Sequence, residues 1–447
     1  MNTSPALWRR SRSRAPDQLL RGAYALLLNT VLTSLLGVGY WVVAARNYTV
    51  VSFGRNAALI STMMLVSSVA QLGLTGALTR YLPRAGSATA RSVRRTYAVS
   101  SATALLVGGA FVLLAPRALG QLAFLRDSPS LLLGLWTAVV LWTVFSLQDS
   151  VLVALRSAAW VPVENAAFGV AKIALLVAFA SLLPTAGIFT SWTVAVALTL
   201  IPVNLLIFRR LVPRHAVSSA ETATLPQRGE LVRFVVLDYV GTLCFLGCIH
   251  ALPLLVLTRL GPSASAAFYV AWIVSMALDL VAANVGLSLT VEASHDAAAL
   301  AGLGARATRR VMGILVPVVG GVLLGAPLLL RVFGQDYPAE SSGVLRLLVL
   351  GSLPKACVVT YISLARSRGQ VGVIWRLQMA TAVLVLGGSL LLMAPLGVLG
   401  VGIAWLTAQA AVACWVFPRL WRMLRGAPPI TPSTQPVAQQ AAGATAL

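Results

Sequence analysis

The feature that most constrains this chain is a series of apolar runs of about 20 residues, separated by short segments rich in Arg, Pro or Gly. Of its 447 residues, 58% are hydrophobic and only 10% are charged, so a soluble core cannot hide these runs from water. The sequence therefore predicts an all-α polytopic membrane protein with about twelve transmembrane helices. The predicted spans cover residues 22–45, 56–79, 96–115, 131–154, 165–183, 187–208, 231–257, 264–291, 308–330, 343–365, 373–394 and 399–418.

The basic residues that give the formal net charge of +22 lie mainly at alternate ends of these spans. On a soluble surface such a charge would indicate a nucleic-acid partner. Here arginine dominates one set of ends and is sparse at the other. Examples of the dominant set are Arg94, Arg95, Arg209, Arg210, Arg309 and Arg310. The positive-inside rule accounts for this pattern and predicts that both termini are cytoplasmic, with no nucleic-acid partner.

The longest polar break, residues 209–230, leaves six predicted spans on each side. A shift of 213 residues sets Arg46 on Arg259, Met63 on Met276 and Gly73 on Gly286. The sequence thus predicts two pseudo-symmetric six-helix lobes in the same orientation. The predicted organisation is a basic cytoplasmic segment (1–20), an N-lobe (21–208), a cytoplasmic linker (209–230), a C-lobe (231–421) and a disordered cytoplasmic tail (422–447).

Motifs of soluble catalysis are absent from the chain: it has no P-loop, HExxH, GxSxG or paired CxxC. Cys244, Cys248 and His250 share a predicted span, where small buried side chains are a better interpretation than metal ligands. The sequence predicts no catalytic residue, no metal and no cofactor. Two lobes with a cleft between them favour a transporter over an enzyme.

Three segments carry a family resemblance: GYWVVAARNYTVVSFGRNAALIS, RVFGQDYPAESSGVLRLLVLGSLP and APLGVLGVGIAWLTAQ. They resemble the polysaccharide transporter branch of the multidrug/oligosaccharidyl-lipid/polysaccharide (MOP) exporter superfamily, which includes O-antigen and lipid II flippases. The resemblance covers roughly residues 21–421. It implies a V-shaped pair of lobes that flips an undecaprenyl-diphosphate-linked oligosaccharide from the inner to the outer leaflet of the bacterial cytoplasmic membrane.

That activity would serve the biosynthesis and export of cell-surface polysaccharide, with membrane lipids and the glycosyltransferases or polymerase of the same pathway as partners. The first alternative is a cation-coupled multidrug exporter of the same superfamily, although the first predicted span lacks the acidic residue that a cavity for cationic drugs needs. A membrane glycosyltransferase or ligase is a further alternative. The short outer loops, with few acidic residues, argue against it.

Lys355 is the most informative intramembrane charge, because it lies about halfway along a predicted span and directly follows Pro354. A lysine near the midplane costs several kcal/mol unless it is paired or hydrated. Either Lys355 faces a polar cavity and binds the diphosphate, or it pairs with Asp279 or Asp238. Arg80 is either a further substrate contact or an anchor at the inner interface.

A second charged pair flanks the break between two spans, which we interpret as a short cytoplasmic turn that includes Glu164. Asp149 lies seven residues, about 10 Å, from Arg156, and Lys172 lies eight residues, about 12 Å, from Glu164. The two charges should therefore lie at similar depth. Either they form an ion pair, or Lys172 contacts substrate and Asp149 tunes it. The acids Asp149, Asp238 and Asp279, together with His250, are candidates for ion coupling or charge pairing.

Overall fold

The computed structural model describes residues 32–218, 228–295, 300–335, 337–367 and 370–424, and the regular structure in these ranges is helical throughout. The main helices are α1 (32–47), α2 (Val50–Ala70), α3 (Leu74–Tyr81), α4 (Thr89–Ala118), α5 (Pro129–Ala154), α6 (Trp160–Leu182), α7 (Gly187–Leu206), α8 (Val212–Ser218), α9 (Arg228–Leu260), α10 (Pro262–His295), α11 (Leu300–Arg331), α12 (Tyr337–Ser367), α13 (Val371–Leu396) and α14 (Val398–Leu424). We call α1–α8 the N-lobe and α9–α14 the C-lobe.

The number of membrane spans agrees with the sequence. Within the described residues, ten helical segments are long and apolar enough to cross a membrane. The two other predicted spans are occupied by α1 and by α10, which has 34 residues. The predicted fold class, an all-α polytopic membrane protein with about twelve spans in two lobes, is confirmed.

Two helices begin earlier than the sequence predicts. The Oγ1 atom of Thr49 accepts a hydrogen bond from the Ser52 amide (3.2 Å), so this residue caps α2 six residues before the predicted start. In α6, Pro162 lies in the first turn, where proline is tolerated because that turn has no intrahelical donors to lose. The interpretation of Glu164 as part of a cytoplasmic turn is therefore wrong: this side chain lies within α6 and is only 3% exposed.

The second predicted span is broken between α2 and α3. Leu72 and Gly73 both have positive φ values, 51° and 68°, which only glycine adopts without strain. A Cβ atom at Gly73 would also lie 2.8 Å from the Cβ of Tyr239 on α9. The glycine that the repeat sets opposite, Gly286, lies inside the continuous helix α10. The two halves therefore differ at this point of the repeat.

The alternating helices bring the predicted inner arginines together at one end of the bundle, which we call the arginine-rich end. Arg94, Arg156, Arg209, Arg309 and Arg376 all lie there, at the start or end of their helices. The opposite end carries fewer, among them Arg46, Arg117 and Arg331. The charge asymmetry is thus a feature of the folded chain. That the arginine-rich end faces the cytoplasm stays a prediction.

The lobes meet along α2, which packs against both α9 and α10. Near the opposite end, a Cβ atom at Gly54 would overlap the Pro262 carbonyl, so glycine permits the close approach of these helices. One hydrophobic core includes residues of both lobes. Two smaller clusters, around Val151 in the N-lobe and Val416 in the C-lobe, lie toward the arginine-rich end. The lobes are therefore packed together more continuously away from that end.

The structure describes only part of the predicted segments outside the lobes. The predicted linker 209–230 begins as helix, because α7 continues through a π-helical segment, Ile207–Leu211, into α8. Residues 1–20 and 219–227 lie outside the described residues, as do residues 425–447 of the predicted tail. The domain boundaries stay a prediction.

Candidate functional site

Lys355 lies near the middle of α12 and pairs with Asp279 on α10. The distance from Lys355 Nζ to Asp279 Oδ2 is 2.6 Å, and both side chains are 12% exposed. The other oxygen, Asp279 Oδ1, accepts a hydrogen bond from Ser352 Oγ at 2.9 Å. Of the two arrangements that the sequence left open, the structure shows the pair with Asp279. A partly buried ammonium therefore has a counter-charge, and the carboxylate is bonded at both oxygens.

Trp405 on α14 supplies a third side of the Lys355 site. The ammonium lies 4.9 Å from the centroid of this ring, within the range of a cation–π contact. Trp405 is 2% exposed and packs edge-to-face on Trp272 at 4.9 Å. Gly351 makes room for it, because a Cβ atom there would lie 2.7 Å from Trp405 Cδ1. The helices α10, α12 and α14 thus position a carboxylate, an ammonium and an indole together in the C-lobe.

Lys172 has a different environment in the N-lobe. Its side chain is 5% exposed, and its Nζ lies 4.1 Å from the ring centroid of Trp192, 4.8 Å from Phe168 and 4.9 Å from Tyr40. Among the described residues it has neither a hydrogen-bond nor an ion-pair partner. Three ring faces therefore stand where a carboxylate would be expected, and their quadrupoles offset part of the cost of burying the ammonium.

The predicted ion pair between Lys172 and Asp149 is not formed, and that expectation is wrong. Because α6 begins at Trp160 rather than 165, Lys172 is twelve residues into its helix, whereas Asp149 is five residues from the end of α5. At 1.5 Å per residue the two charges differ in depth by about 10 Å. Asp149 instead hydrogen-bonds Asn165, closer to the arginine-rich end.

The other predicted site residues do not join either lysine. Arg80 lies in the last turn of α3, toward the arginine-rich end, with its guanidinium 5.4 Å from the Tyr81 ring centroid. This position fits the interfacial anchor that the sequence left open. His250 is half-buried on α9. Asp238 also lies on α9, but its side chain is outside what the structure describes.

The two tryptophans that face the lysines occupy equivalent positions in the repeat. Trp192 and Trp405 are separated by 213 residues, the same shift that aligns Arg46 with Arg259. The lysines are not equivalent: this shift sets Lys355 on Trp142 and Lys172 on Val385. Each lobe therefore presents the same ring to a lysine from a different helix. Extending the repeat to this tryptophan pair would have revealed both rings from the sequence.

Aromatic side chains also connect the lobes. The ring of Trp41 lies 4.7 Å from Tyr269, and Phe53 lies 6.3 Å from Tyr269 and 6.0 Å from Tyr337. We call these four residues the interlobe aromatic cluster. Trp41 also lies 6.0 Å from Trp192, so stacked and edge-on rings lead from Lys172 to the lobe interface.

No family model and no curated protein matches the chain at a significant level. Solved structures do. The inward-facing structure of a multidrug resistance MATE family transporter of the MOP superfamily aligns with a TM-score of 0.66 and 17% identity, covering 89% of this chain and 96% of that one. The inward closed structure of the lipid II flippase MurJ aligns with a TM-score of 0.71 and 11% identity, covering 90% of each chain. The chain has the fold of MOP-superfamily transporters.

A third solved structure widens that comparison. It is a MOP-superfamily transporter from Pyrococcus furiosus, described as having a binding pocket of reverse polarity that suggests a different function. Its TM-score is 0.55 at 13% identity, covering 91% of this chain and 96% of that one. The predicted resemblance to the superfamily is thus confirmed at the level of the fold. The polysaccharide transporter branch stays a prediction.

Proposed function

We propose that this protein flips a lipid-diphosphate-linked oligosaccharide from the inner to the outer leaflet of the bacterial cytoplasmic membrane. The observation that carries the proposal is Lys355: a cation near the middle of a membrane helix, 12% exposed, in a fold shared with a lipid II flippase. A diphosphate is a strong acceptor of charge-assisted hydrogen bonds from an ammonium. A headgroup that reaches Lys355 would compete with Asp279 for it.

In this proposal the arginine-rich end faces the cytoplasm and concentrates the anionic substrate near the membrane. Clustered arginines attract anionic headgroups within about a Debye length. Arg80 contributes at this entrance, Lys355 binds the diphosphate within the cleft, and Lys172 adds positive potential from inside the N-lobe. The lobes then exchange their open side by alternating access, since they are packed less continuously toward the arginine-rich end.

The membrane potential favours this direction of transport. Moving a negative charge outward across an inside-negative membrane is favourable by about 2.3 kcal/mol per charge per 100 mV if the charge is uncompensated. The enzymes that make or polymerise the sugar would then act on either side of the membrane. The transporter itself needs no chemical step.

The test is a flipping assay in proteoliposomes, with a polyprenyl-diphosphate oligosaccharide as probe and the potential set by valinomycin. Lys355→Gln should reduce the rate by about tenfold or more, since a hydrogen bond to a charged group contributes about 1.5–3 kcal/mol. Lys355→Arg should retain more activity, because it keeps the cation. Arg331→Gln, at the opposite end, is the matched control.

Stranding Asp279 could impair folding and imitate a transport defect. The double variant Lys355→Gln/Asp279→Asn removes both charges, so it should restore the stability of the protein but not the flipping rate. Flipping by this double variant at the wild-type rate and matched protein level would refute the headgroup role of Lys355.

A multidrug exporter is the second candidate, favoured by the interlobe aromatic cluster, which offers ring faces to an organic cation. Efflux of ethidium from proteoliposomes, with no movement of the lipid-linked sugar, would move the assignment to this function. Replacing Trp41 and Tyr269 by Leu should then abolish the efflux and leave the protein folded.

A further inference from the structure

A buried polar ladder joins α5 to α6 at the arginine-rich end of the N-lobe. Gln148 Nε2 donates to Glu164 Oε1 at 2.6 Å, and one residue along each helix Asp149 hydrogen-bonds Asn165. Two adjacent residues of α5 thus pair with two adjacent residues of α6. The carboxyl groups of Asp149 and Glu164 lie close enough to interact electrostatically.

Helices α4 and α7 extend the ladder. Asn204 on α7 donates from Nδ2 to Gln148 Oε1 at 2.8 Å, which fixes the orientation of both amides. Tyr97 on α4 lies within electrostatic range of both carboxyl groups. Four helices therefore contribute oxygen-bearing side chains to one region of the N-lobe.

This region has more buried oxygen acceptors than donors. Four side-chain oxygens are inaccessible and lack a hydrogen-bond partner: Asp149 Oδ1, Glu164 Oε2, Asn204 Oδ1 and Tyr97 Oη. The Glu164 side chain is 97% buried and Gln148 is fully buried. In the part of the chain that the structure describes, no Arg or Lys forms an ion pair with either carboxylate.

Buried charges are normally paired or bound to metal, and buried acceptors are normally satisfied. Neither holds here, so a positively charged ligand is missing from the description of this region. We propose that the ladder binds a hard monovalent cation, with Na⁺ the ion to test. Carboxylate, amide and phenol oxygens are hard ligands, which favour such an ion over a soft transition metal. Two carboxylates are too few for a closed divalent site that relies on carboxylates.

The site is distinct from both lysines. The ladder lies four to six residues from the ends of α5 and α6, whereas Lys172 lies near the middle of α6. The cation would cross-link α4, α5, α6 and α7 at the end of the N-lobe that carries the arginines. It would therefore stabilise the N-lobe whatever substrate the protein carries, and the proposal does not rest on the proposed function.

The experiment uses the full-length protein in detergent. We expect NaCl to raise the Tm above that in choline chloride at equal ionic strength, with a saturable dependence, because a ligand that binds only the folded state stabilises it. Direct binding of ²²Na⁺ should saturate with the same midpoint. Glu164→Gln and Asp149→Asn should each weaken that binding at least tenfold, while Asp127→Asn, an exposed acid outside the ladder, should leave it unchanged.

Both substitutions keep the size of the side chain, and Glu164→Gln retains an oxygen for the Gln148 amide, so the variants should fold. The wild-type measurement also stands without them. Equal Tm values in Na⁺ and choline, with no ²²Na⁺ binding, would overturn the proposal. So would variants that are more stable than the wild type in both salts, since the carboxyl groups would then hold protons rather than a cation.

Discussion

The two lobes bury a lysine against the same tryptophan of the repeat, but they neutralise it differently. In the C-lobe, Lys355 has a carboxylate at 2.6 Å and one ring. In the N-lobe, Lys172 has three rings and, among the described residues, no carboxylate. The C-lobe site is therefore close to neutral, whereas the N-lobe keeps a net positive charge within its core. Pseudo-symmetry has preserved the ring and not the charge balance.

This difference predicts opposite responses to loss of the lysine. Lys355→Met leaves Asp279 buried without its partner, so the free energy of unfolding should fall by about 3–5 kcal/mol. Lys172→Met strands no carboxylate and replaces an unpaired ammonium with an apolar chain, so stability should be unchanged or higher. Thermal unfolding of the two variants in detergent, at fixed salt, measures both effects.

The rescue experiment sharpens this test. Adding Asp279→Leu to Lys355→Met should recover most of the lost stability, because the stranded charge is then removed. If the two losses simply add, the 2.6 Å contact contributes little, and the sites are more alike than their geometry indicates.

The sequence was a good guide to features that depend on local pattern. Span number, the arginine asymmetry and the two-lobe repeat all follow from runs of apolar residues and from the charges at their ends. Pairing between helices depends instead on where each helix begins and which face it turns inward. Pro162 marked a turn in the sequence but lies in the first turn of α6, which moved Lys172 about 10 Å away from the depth of Asp149.

The same limit explains what else the sequence missed. Asp149 and Glu164 are separated in the sequence by the α5–α6 turn, so their inclusion in one ladder could be inferred only if both helices extended past the predicted ends. Asp279 was named as one of two partners for Lys355 because both lie near mid-depth. The choice between Asp279 and Asp238 needed the rotation of α9 and α10 about their axes, which an apolar pattern does not define.

The break between α2 and α3 is the second contrast between the halves. Gly73 has a φ of 68° and closely contacts Tyr239 on the other lobe, whereas α10 is continuous past Gly286. Gly73→Ala should destabilise the protein by about 2 kcal/mol, since the left-handed conformation alone costs an L-residue about 1–2 kcal/mol. Gly325→Ala is the control, because that glycine is helical and a Cβ atom there would meet open space. Its unfolding temperature should stay the same or rise.

The smallest expected effect isolates the ring contact itself. Trp192→Phe and Trp405→Phe remove similar volumes from two buried, equivalent positions, so their packing losses should be alike. Lys172 depends on rings alone, and Trp192 is its nearest, at 4.1 Å. The N-lobe variant should therefore lose a further 0.5–1 kcal/mol or so, rising toward about 2 for a well-desolvated contact. A double-mutant cycle with Lys172→Met measures that coupling directly, because the packing loss cancels. The corresponding cycle of Trp405 with Lys355, performed in the Asp279→Leu background, should give a larger coupling than in the wild type, since the ring is then the only listed neighbour of the ammonium that can replace the lost carboxylate. Equal couplings at Trp192 and Trp405 in the wild-type background would show that the carboxylate does not relieve the ring, and that the two lobes hold their lysines in the same way after all.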